Sequence, residues 1–476
     1  MAKRKRESPK ITFLGSNSDN VTGSIILVET TSHKILLEAG LFQSNNIKND
    51  YKINSRRFKF KPKEIDFIFI NHFHIDHLGI LPKLYKDGCN ANIFIPNNSY
   101  KISKILLEDS AHINGKDAIS LSKMLNKPVY PIYEKDHVEM ALEFFDECPF
   151  NKIIKVNNEI SFRFIPSGHI INSAQLELYI TQNNKTYSLL YTSDLGNTRL
   201  NKPFIKPFKS VQDSFDIVIG ESTYARKSDC KIDINKDIEK LKETVIQTCI
   251  NKRSKLLIPC FALDRTQYIV KLLYDLFGND KNFNIPIYID SPMACNITKT
   301  YGEILEGKDL ELYNKVFSWK NLHLISEYQD SKAILSCEKP KIILSSSGMM
   351  TAGRVIAHAI DILPNHKACI LFCGYSAEGS LASIIKNSIR SKSRIKINNK
   401  KHIRNCSVVT LNSFSSHMQR TDLLEYYSKI NTNGVYLVHS NFNDKCEFCK
   451  DLKLEMENKC KTTKVVAVHK DLEVSL

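Results

Sequence analysis

The chain has 476 residues, 42% hydrophobic and 25% charged, with 67 Lys and Arg against 51 Asp and Glu for a formal net charge of +16. That length favours two or three domains, and no apolar run approaches the roughly 20 residues that span a bilayer, so an ordinary globular protein with no membrane partner is expected. The basic excess favours a polyanionic partner, and 13 cysteines without framework spacing fit a reducing compartment, cytoplasmic or, in a eukaryote, nuclear.

In chain order, the basic opening "MAKRKRESPK" has no apolar continuation and reads as a solvated tail rather than a secretion signal. Short β-branched runs follow, each ending in a small or polar motif: "ITFLGS" from Ile11, "GSIILVETTSHKILLEAG" from Gly23, "EIDFIFINHFH" from Glu64, "ISFRFIPSGH" from Ile160, "YSLLYTSDLG" from Tyr187 and "FDIVIGEST" from Phe215. They predict strands of a sheet that stops at functional loops, with a hairpin turn at "SHKI" and a helix over "SYKISKILLEDSAHI". From about Phe208, strands alternate with helical patterns: "KIDINKDIEKLKETVIQTCI", "KLLIPCF", "DRTQYIVKLLYDLF", "IPIYID", "KIILSSSGMM" and "ACILFCGYSAEG". Such alternation predicts a Rossmann-like parallel sheet in an α/β fold. A basic segment, Ile389 to Arg404, precedes "CSVVTLNSFSSH", a helix through "QRTDLLEYYSKI", "GVYLVHS", another helix and a last strand "TKVVAVH". The simplest division is one domain interrupted by another, with residues 1–207 and 409–476 outside and 208–408 inserted.

The stretch "INHFHIDHLG" places His72, His74, Asp76 and His77 in one turn-like loop directly after a buried strand. Neutral imidazole and carboxylate are ligands for zinc and similar divalent ions, and two such ions can clamp both sides of an in-line phosphoryl displacement. His72 and His74 could face one ion while Asp76 and His77 face another. Further candidates sit at other strand ends: His169 in "IPSGHIINSA", Asp194 in "YTSDLGN" and His439 in "VYLVHSN". Together they could complete a dinuclear site, a carboxylate such as Asp194 bridging and a metal-bound hydroxide, acidified to near neutrality, acting as nucleophile.

"HFHIDH" resembles the HxHxDH signature of the metallo-β-lactamase superfamily, and "VTGS", "ESTY", "IPCFALDRTQ", "SSSGMM", "GYSAEGSL", "SFSSH" and "LVHS" follow in the order of its β-CASP branch, the RNA- and DNA-processing nucleases. The resemblance covers nearly the whole chain and is strongest to the compact bacterial β-CASP ribonucleases and the core of the pre-mRNA 3′-end cleavage endonuclease. It implies a metallo-β-lactamase αββα sandwich with an inserted Rossmann-like β-CASP domain. One metal would be held by His72, His74 and His169 and a second by Asp76, His77 and His439, with Asp194 bridging. Both would be divalent, Zn2+ first and Mn2+ as the alternative. Glu221 and His417 would form an acid/base pair beside Asp76 in the catalytic set, the carboxylate orienting an imidazole that protonates the departing ribose oxygen. RNA-acting members carry histidine at the position of His439, where members resembling Artemis carry valine. The implied activity is therefore metal-dependent hydrolysis of single-stranded RNA, endonucleolytic, 5′-exonucleolytic or both, by a chain that works alone or as a homodimer. The competing readings are a DNA-directed β-CASP nuclease, a small-molecule hydrolase on the same scaffold, and a weakly active or non-catalytic RNA-binding member.

Two positions depart from the family pattern. Glu38 in "LLEAG" stands where aspartate usually orients a ligand histidine, so one extra methylene threatens that hydrogen bond, and Ser440 replaces glycine after the last histidine. Elsewhere, "SSSGMMTAGR" joins a predicted strand to a predicted helix, so the backbone at Ser346, Ser347 and Gly348 is expected to cradle a substrate phosphate and Arg354 to pair with it. Cys446 and Cys449 have metal-like spacing with only Cys460 nearby, and read as ordinary helix residues. Two basic clusters, "RRFKFKPK" from Arg56 and the segment from Ile389 to Arg404, are candidate RNA-contacting strips or plain solvated loops.

Overall fold

The computed structural model describes residues 8–16, 20–44, 46–211, 214–226, 233–374, 376–459 and 461–476. The chain divides into two compact units, one of Met1–Arg199, Ile205–Ser228 and Ser416–Leu476, the other of Leu200–Phe204 and Asp229–Ser415. The first seven residues of the basic opening and Cys460 lie outside the described residues.

Two seven-stranded sheets build the first unit. In hydrogen-bonding order the first runs Glu473–Ser475, Lys10–Phe13, Ile26–Glu29, Lys34–Leu37, Phe67–Phe69, Asn92–Pro96 and Phe145–Cys148. The second runs Lys464–Ala467, Thr432–Val438, Phe215–Glu221, Lys185–Tyr191, Ala174–Gln182, Ile160–Pro166 and Ile154–Lys155. Alternating residues of the first sheet, such as Ile11, Phe13, Ile35, Leu37 and Phe69, share one buried cluster with Phe162, Leu176, Leu189, Ile219 and Val438 of the second. The period of two thus turns one apolar face of each sheet onto the other. On its far side the second sheet buries Leu190, Val218 and Leu437 against Leu423 and Tyr427 of the helix Arg420–Lys429 and Phe448 and Leu452 of the helix Phe442–Asn458. Four adjacent strands of the first sheet run parallel and therefore need crossovers. Their helices, Leu81–Lys86, Tyr100–Leu125 and Lys135–Leu142, pack on one another, and Leu36, Ile68 and Ile93 on that sheet's other face are buried. The unit is an αββα sandwich.

Strand direction concentrates the chemistry. Ile160–Pro166 and Lys185–Tyr191 are each antiparallel to Ala174–Gln182, and Phe215–Glu221 and Thr432–Val438 run parallel to Lys185–Tyr191. Four strands therefore end at one edge, where Glu221 closes its strand and His169, Asp194 and His439 follow theirs.

The second unit is wound around a six-stranded, wholly parallel sheet in the order Leu322–Ile325, Ile287–Asp290, Lys341–Ser345, Lys255–Pro259, Cys369–Cys373 and Ser407–Leu411. Its three central strands are buried along their whole length, as a sheet covered by helices on both faces requires. Strand pairing moves both expected domain boundaries. Phe215–Glu221 lies beyond residue 207 yet pairs within the sandwich, and Ser407–Leu411, which a boundary at 408 would cut, is the edge strand of the parallel sheet. Composition changes before the first crossing because the sandwich's last parallel strands look like those of the insert.

Candidate metal centre

After the strand Phe67–Phe69 the chain stays extended through His74, which caps a single helical turn, Ile75–Leu78. Neighbouring loops clasp that turn through backbone hydrogen bonds, Ser24 N to Asp76 O at 2.8 Å, Ala39 N to His77 O at 2.7 Å and Leu41 N to Ile75 O at 2.9 Å. At Gly40 a Cβ would fall 1.7 Å from the Asp76 carbonyl oxygen, so only glycine lets the "LLEAG" loop approach this closely. The motifs "VTGS" and "LLEAG" therefore form the floor beneath "HFHIDH".

All seven expected ligands converge in the first unit. His72, His74, His169 and Asp194 form one group of donors within 4.8 Å of one another, and Asp76, His77 and His439 form a second. Asp194 faces both. Its Oδ2 lies 3.4 Å from His72 Nε2 and 3.6 Å from His169 Nε2, while its Oδ1 lies 3.6 Å from His77 Nε2 and 3.5 Å from His439 Nδ1. In the first group His74 Nδ1 is 3.3 Å from His169 Nε2, and in the second His439 Nε2 is 3.3 Å from both His77 Nε2 and Asp76 Oδ2. A tetrahedral zinc with N and O ligands at about 2.0–2.1 Å sets its ligands about 3.3 Å apart, so the donors already stand near the spacing one ion requires. His72 Nε2 and Asp194 Oδ1 are buried without a hydrogen-bond partner, a state that an ion would relieve.

The ligands are held from behind. His72 Nδ1 meets Ser193 Oγ at 3.1 Å, and that hydroxyl donates to Glu38 Oε1 at 3.0 Å. Glu38 also accepts from Asn71 N at 3.3 Å, but its Oε1 stops 3.5 Å from His77 Nδ1, beyond a good hydrogen bond. The Glu38 carboxylate is therefore held by Ser193 rather than by His77. Thr223 Oγ1, 2.9 Å from His439 Nδ1, fixes the His439 ring, and Ser440 Oγ meets Ser222 Oγ at 2.9 Å, which gives the serine in place of glycine a partner. Glu38, Ser193 and His439 all adopt left-handed backbone, with φ of 61°, 48° and 65°. Strain of this kind persists where surrounding contacts over-determine it. Ser193 and Thr223 were not singled out from sequence; their only signal was adjacency to Asp194 and Glu221.

Electrostatics suit three of the imidazoles to metal. Burial pushes the His74 imidazole down to about 4 and drives those of His77 and His169 well below the usual range, so all three are neutral at neutral pH. For His439 burial acts the same way, yet Asp194 and Asp76 outweigh it and raise the imidazole to about 9. Burial opposes ionisation of Asp194 too, but His439, His77 and His72 hold the carboxyl well below its usual range. Beside this cluster His417 Nδ1 lies 3.4 Å from Glu221 Oε1. Glu221 is fixed by Leu195 N at 2.8 Å and Thr223 N at 3.0 Å. Burial disfavours the charged His417, but the adjacent carboxylate prevails and raises its pKa.

Three family descriptions match successive parts of the chain: the metallo-beta-lactamase superfamily over residues 19–97, the Beta-Casp domain over 266–385 and the Zn-dependent metallo-hydrolase RNA specificity domain over 402–464. A protein named Probable RNase MJ4, from Methanocaldococcus jannaschii, is 30% identical over 443 residues that cover 90% of this chain and 92% of its own. The chain belongs to the β-CASP branch of the metallo-β-lactamase superfamily. Ribonuclease TTHA0252 of Thermus thermophilus is 27% identical over 414 residues, covering 85% of this chain and 88% of that protein. Transcription termination factor FttA of Methanocaldococcus jannaschii is 25% identical over 452 residues, covering 92% and 67%. A crystal structure of a protein of unknown function from Enterococcus faecalis V583 shares the fold, with a TM-score of 0.53 at 11% identity over 98% of this chain and 100% of that one.

The β-CASP unit corrects one expectation. Arg354 does not present its guanidinium to a phosphate: Nη1 donates to Asp290 Oδ1 at 2.8 Å and Ile325 O at 3.1 Å, and Nη2 to Ser326 O at 2.6 Å. The side chain is 17% exposed and already spent on its own fold. Asp290 also accepts from His358 Nε2 at 2.6 Å and Ser331 Oγ at 2.7 Å, a buried network that sequence inspection missed. In the same loop Ser347 Oγ meets Thr351 Oγ1 at 3.1 Å and accepts from Thr351 N, whereas Ser346 Oγ is buried without a hydrogen-bond partner and Gly348 sits against Phe261. Cys446 and Cys449 are free thiols on the helix Phe442–Asn458 and belong to no group of metal donors among the described residues.

Proposed function

We propose that this β-CASP protein is a ribonuclease that hydrolyses phosphodiester bonds of single-stranded RNA, with two divalent ions, zinc foremost, held at the strand-end cluster. The observation that carries the reading is the division of Asp194, whose two oxygens face two separate sets of donors. His72, His74 and His169 would hold one ion, Asp76, His77 and His439 the other. Ions bound there supply Lewis-acid stabilisation of a phosphoryl group and acidify water. RNA as the substrate is supported by the match to an RNA specificity domain and by relatives named as ribonucleases.

The chain's own residues supply the proton. Glu221 favours the protonated form of His417, whose Nδ1 is turned to that carboxylate, so the imidazolium is suited to donate a proton to the departing ribose oxygen. Ser193 and Thr223 orient His72 and His439 by their outer nitrogens, so the other nitrogens point inward.

The test is incubation of the purified protein with RNA labelled separately at each end, with and without chelator. Cleavage that needs added zinc or manganese and disappears in Asp76→Ala/His77→Ala is expected, and undiminished cleavage by that variant would refute the reading. The same labels separate internal cutting from end-directed digestion.

A further inference from the structure

We propose that the β-hairpin of Arg394–Ile397 and Lys400–Ile403 is a docking strip for the phosphate backbone of a single-stranded nucleic acid, distinct from the metal cluster. The inference rests on the ribonuclease reading and adds to it a second contact surface. From Gly379 to Thr421 the chain contains no Asp or Glu, and the hairpin lies inside that run.

The structure sorts the hairpin's cations into two kinds. Arg404 and Arg390 are internal staples: Arg404 donates to Ser388 O at 2.6 Å, Ser388 Oγ at 3.0 Å and Cys406 O at 3.0 Å, and Arg390 to Asn405 O at 2.8 Å and His366 O at 3.0 Å. Ile395 and Ile397 anchor one face of the hairpin in the core of the unit. Lys392, Arg394, Lys396, Lys400 and Lys401 are exposed, and none makes an ion pair with a carboxylate among the described residues. Glu378 lines a groove beside Arg394 together with Ser383, Asn387 and Ser388.

Lys396 stands directly opposite Lys401, so both ammonium groups project from the same face, the one turned away from Ile395 and Ile397. Like charges facing across a strand pair destabilise it. A fold that pins such a ribbon by the buried Arg404 and the exposed Arg390, and sets no carboxylate in an ion pair with Lys396 or Lys401 among the described residues, suits a partner that brings regularly spaced negative charge. A phosphodiester backbone is that partner, held by charge without reading bases.

The experiment measures affinity of the full-length protein for a labelled single-stranded RNA in chelator, at several salt concentrations, for the parent and for Lys396→Gln/Lys401→Gln. Each phosphate contact on a single strand contributes a salt slope of about 0.7, so losing two should reduce the slope by about 1.4 and, relative to 1 M salt, weaken binding about 25-fold at 0.1 M. The variant should unfold no earlier than the parent, because repulsion is relieved. A control, Lys308→Gln/Lys320→Gln, removes the same charge from exposed positions of the same unit and should change binding far less. An unchanged slope in the hairpin variant, or an equal loss in the control, overturns the proposal while RNA cleavage by the parent still stands. A parent that neither binds nor cuts RNA overturns both readings.

Discussion

Arg354→Ala separates two roles for one residue. Were the guanidinium a phosphate ligand, its loss would weaken RNA binding and leave folding intact. The contacts instead predict a folding defect. Arg354 neutralises Asp290, which is fully buried, and caps the carbonyls of Ile325 and Ser326. Removing one partner of a buried ion pair costs about 3–5 kcal/mol, and the lower end applies because Asp290 keeps His358 and Ser331 as partners. For a unit of this size about 3 kcal/mol corresponds to a fall of roughly 6–12 °C in Tm. The pH dependence carries a second signature. Burial opposes ionisation of Asp290, but hydrogen bonds from His358, Ser331 and Arg354 outweigh it and lower its pKa. A depressed folded pKa contributes stability that is present above the ordinary carboxylate value of about 4 and lost as pH falls through the folded value. Denaturant unfolding at several pH values should therefore show a parent that weakens below about pH 4 and a variant whose dependence there is flatter. A variant within about 0.5 kcal/mol of the parent that binds RNA poorly would refute the structural role and restore the phosphate ligand.

Three further outcomes follow from the metal cluster. Glu221→Gln removes the charge that holds a proton on His417, so the high-pH limb of kcat should move to lower pH and the maximal rate should fall about 10²–10⁴-fold; an unmoved limb would exclude His417 as the acid. Glu38→Ala and Thr223→Val, which cut supports of His72 and His439, should each weaken metal binding about 10–100-fold in a chelator-competition titration, and parent-like affinity would show those supports to be idle. Ser440→Gly, losing its bond to Ser222 and a longer one to Asn441 O, should cost about 1 kcal/mol in unfolding and leave metal stoichiometry unchanged.

The candidate ligands were legible in sequence because each is a metal-binding residue type placed just after a β-branched run, and strand-end placement is a local property. His72, His74, Asp76, His77, His169, Asp194 and His439 could be named without knowing which strands are neighbours. The parallel sheet of the insert was legible for the same reason, as alternating patterns of two periods. What remained hidden was set by pairing between distant positions. Phe215–Glu221 belongs to the sandwich because its partners are Lys185–Tyr191 and Thr432–Val438, and nothing in its own composition says so. Arg354 looked like a phosphate ligand until Asp290, 64 residues earlier, was found against it. Glu38 looked like a flaw until Ser193 met its carboxylate from 155 residues away. Side-chain chemistry is carried by each residue alone, so the sequence by itself determined the kind of site. Which hydrogen bonds each polar group makes depends on what folding brings within about 3 Å, and that only the tertiary structure decided.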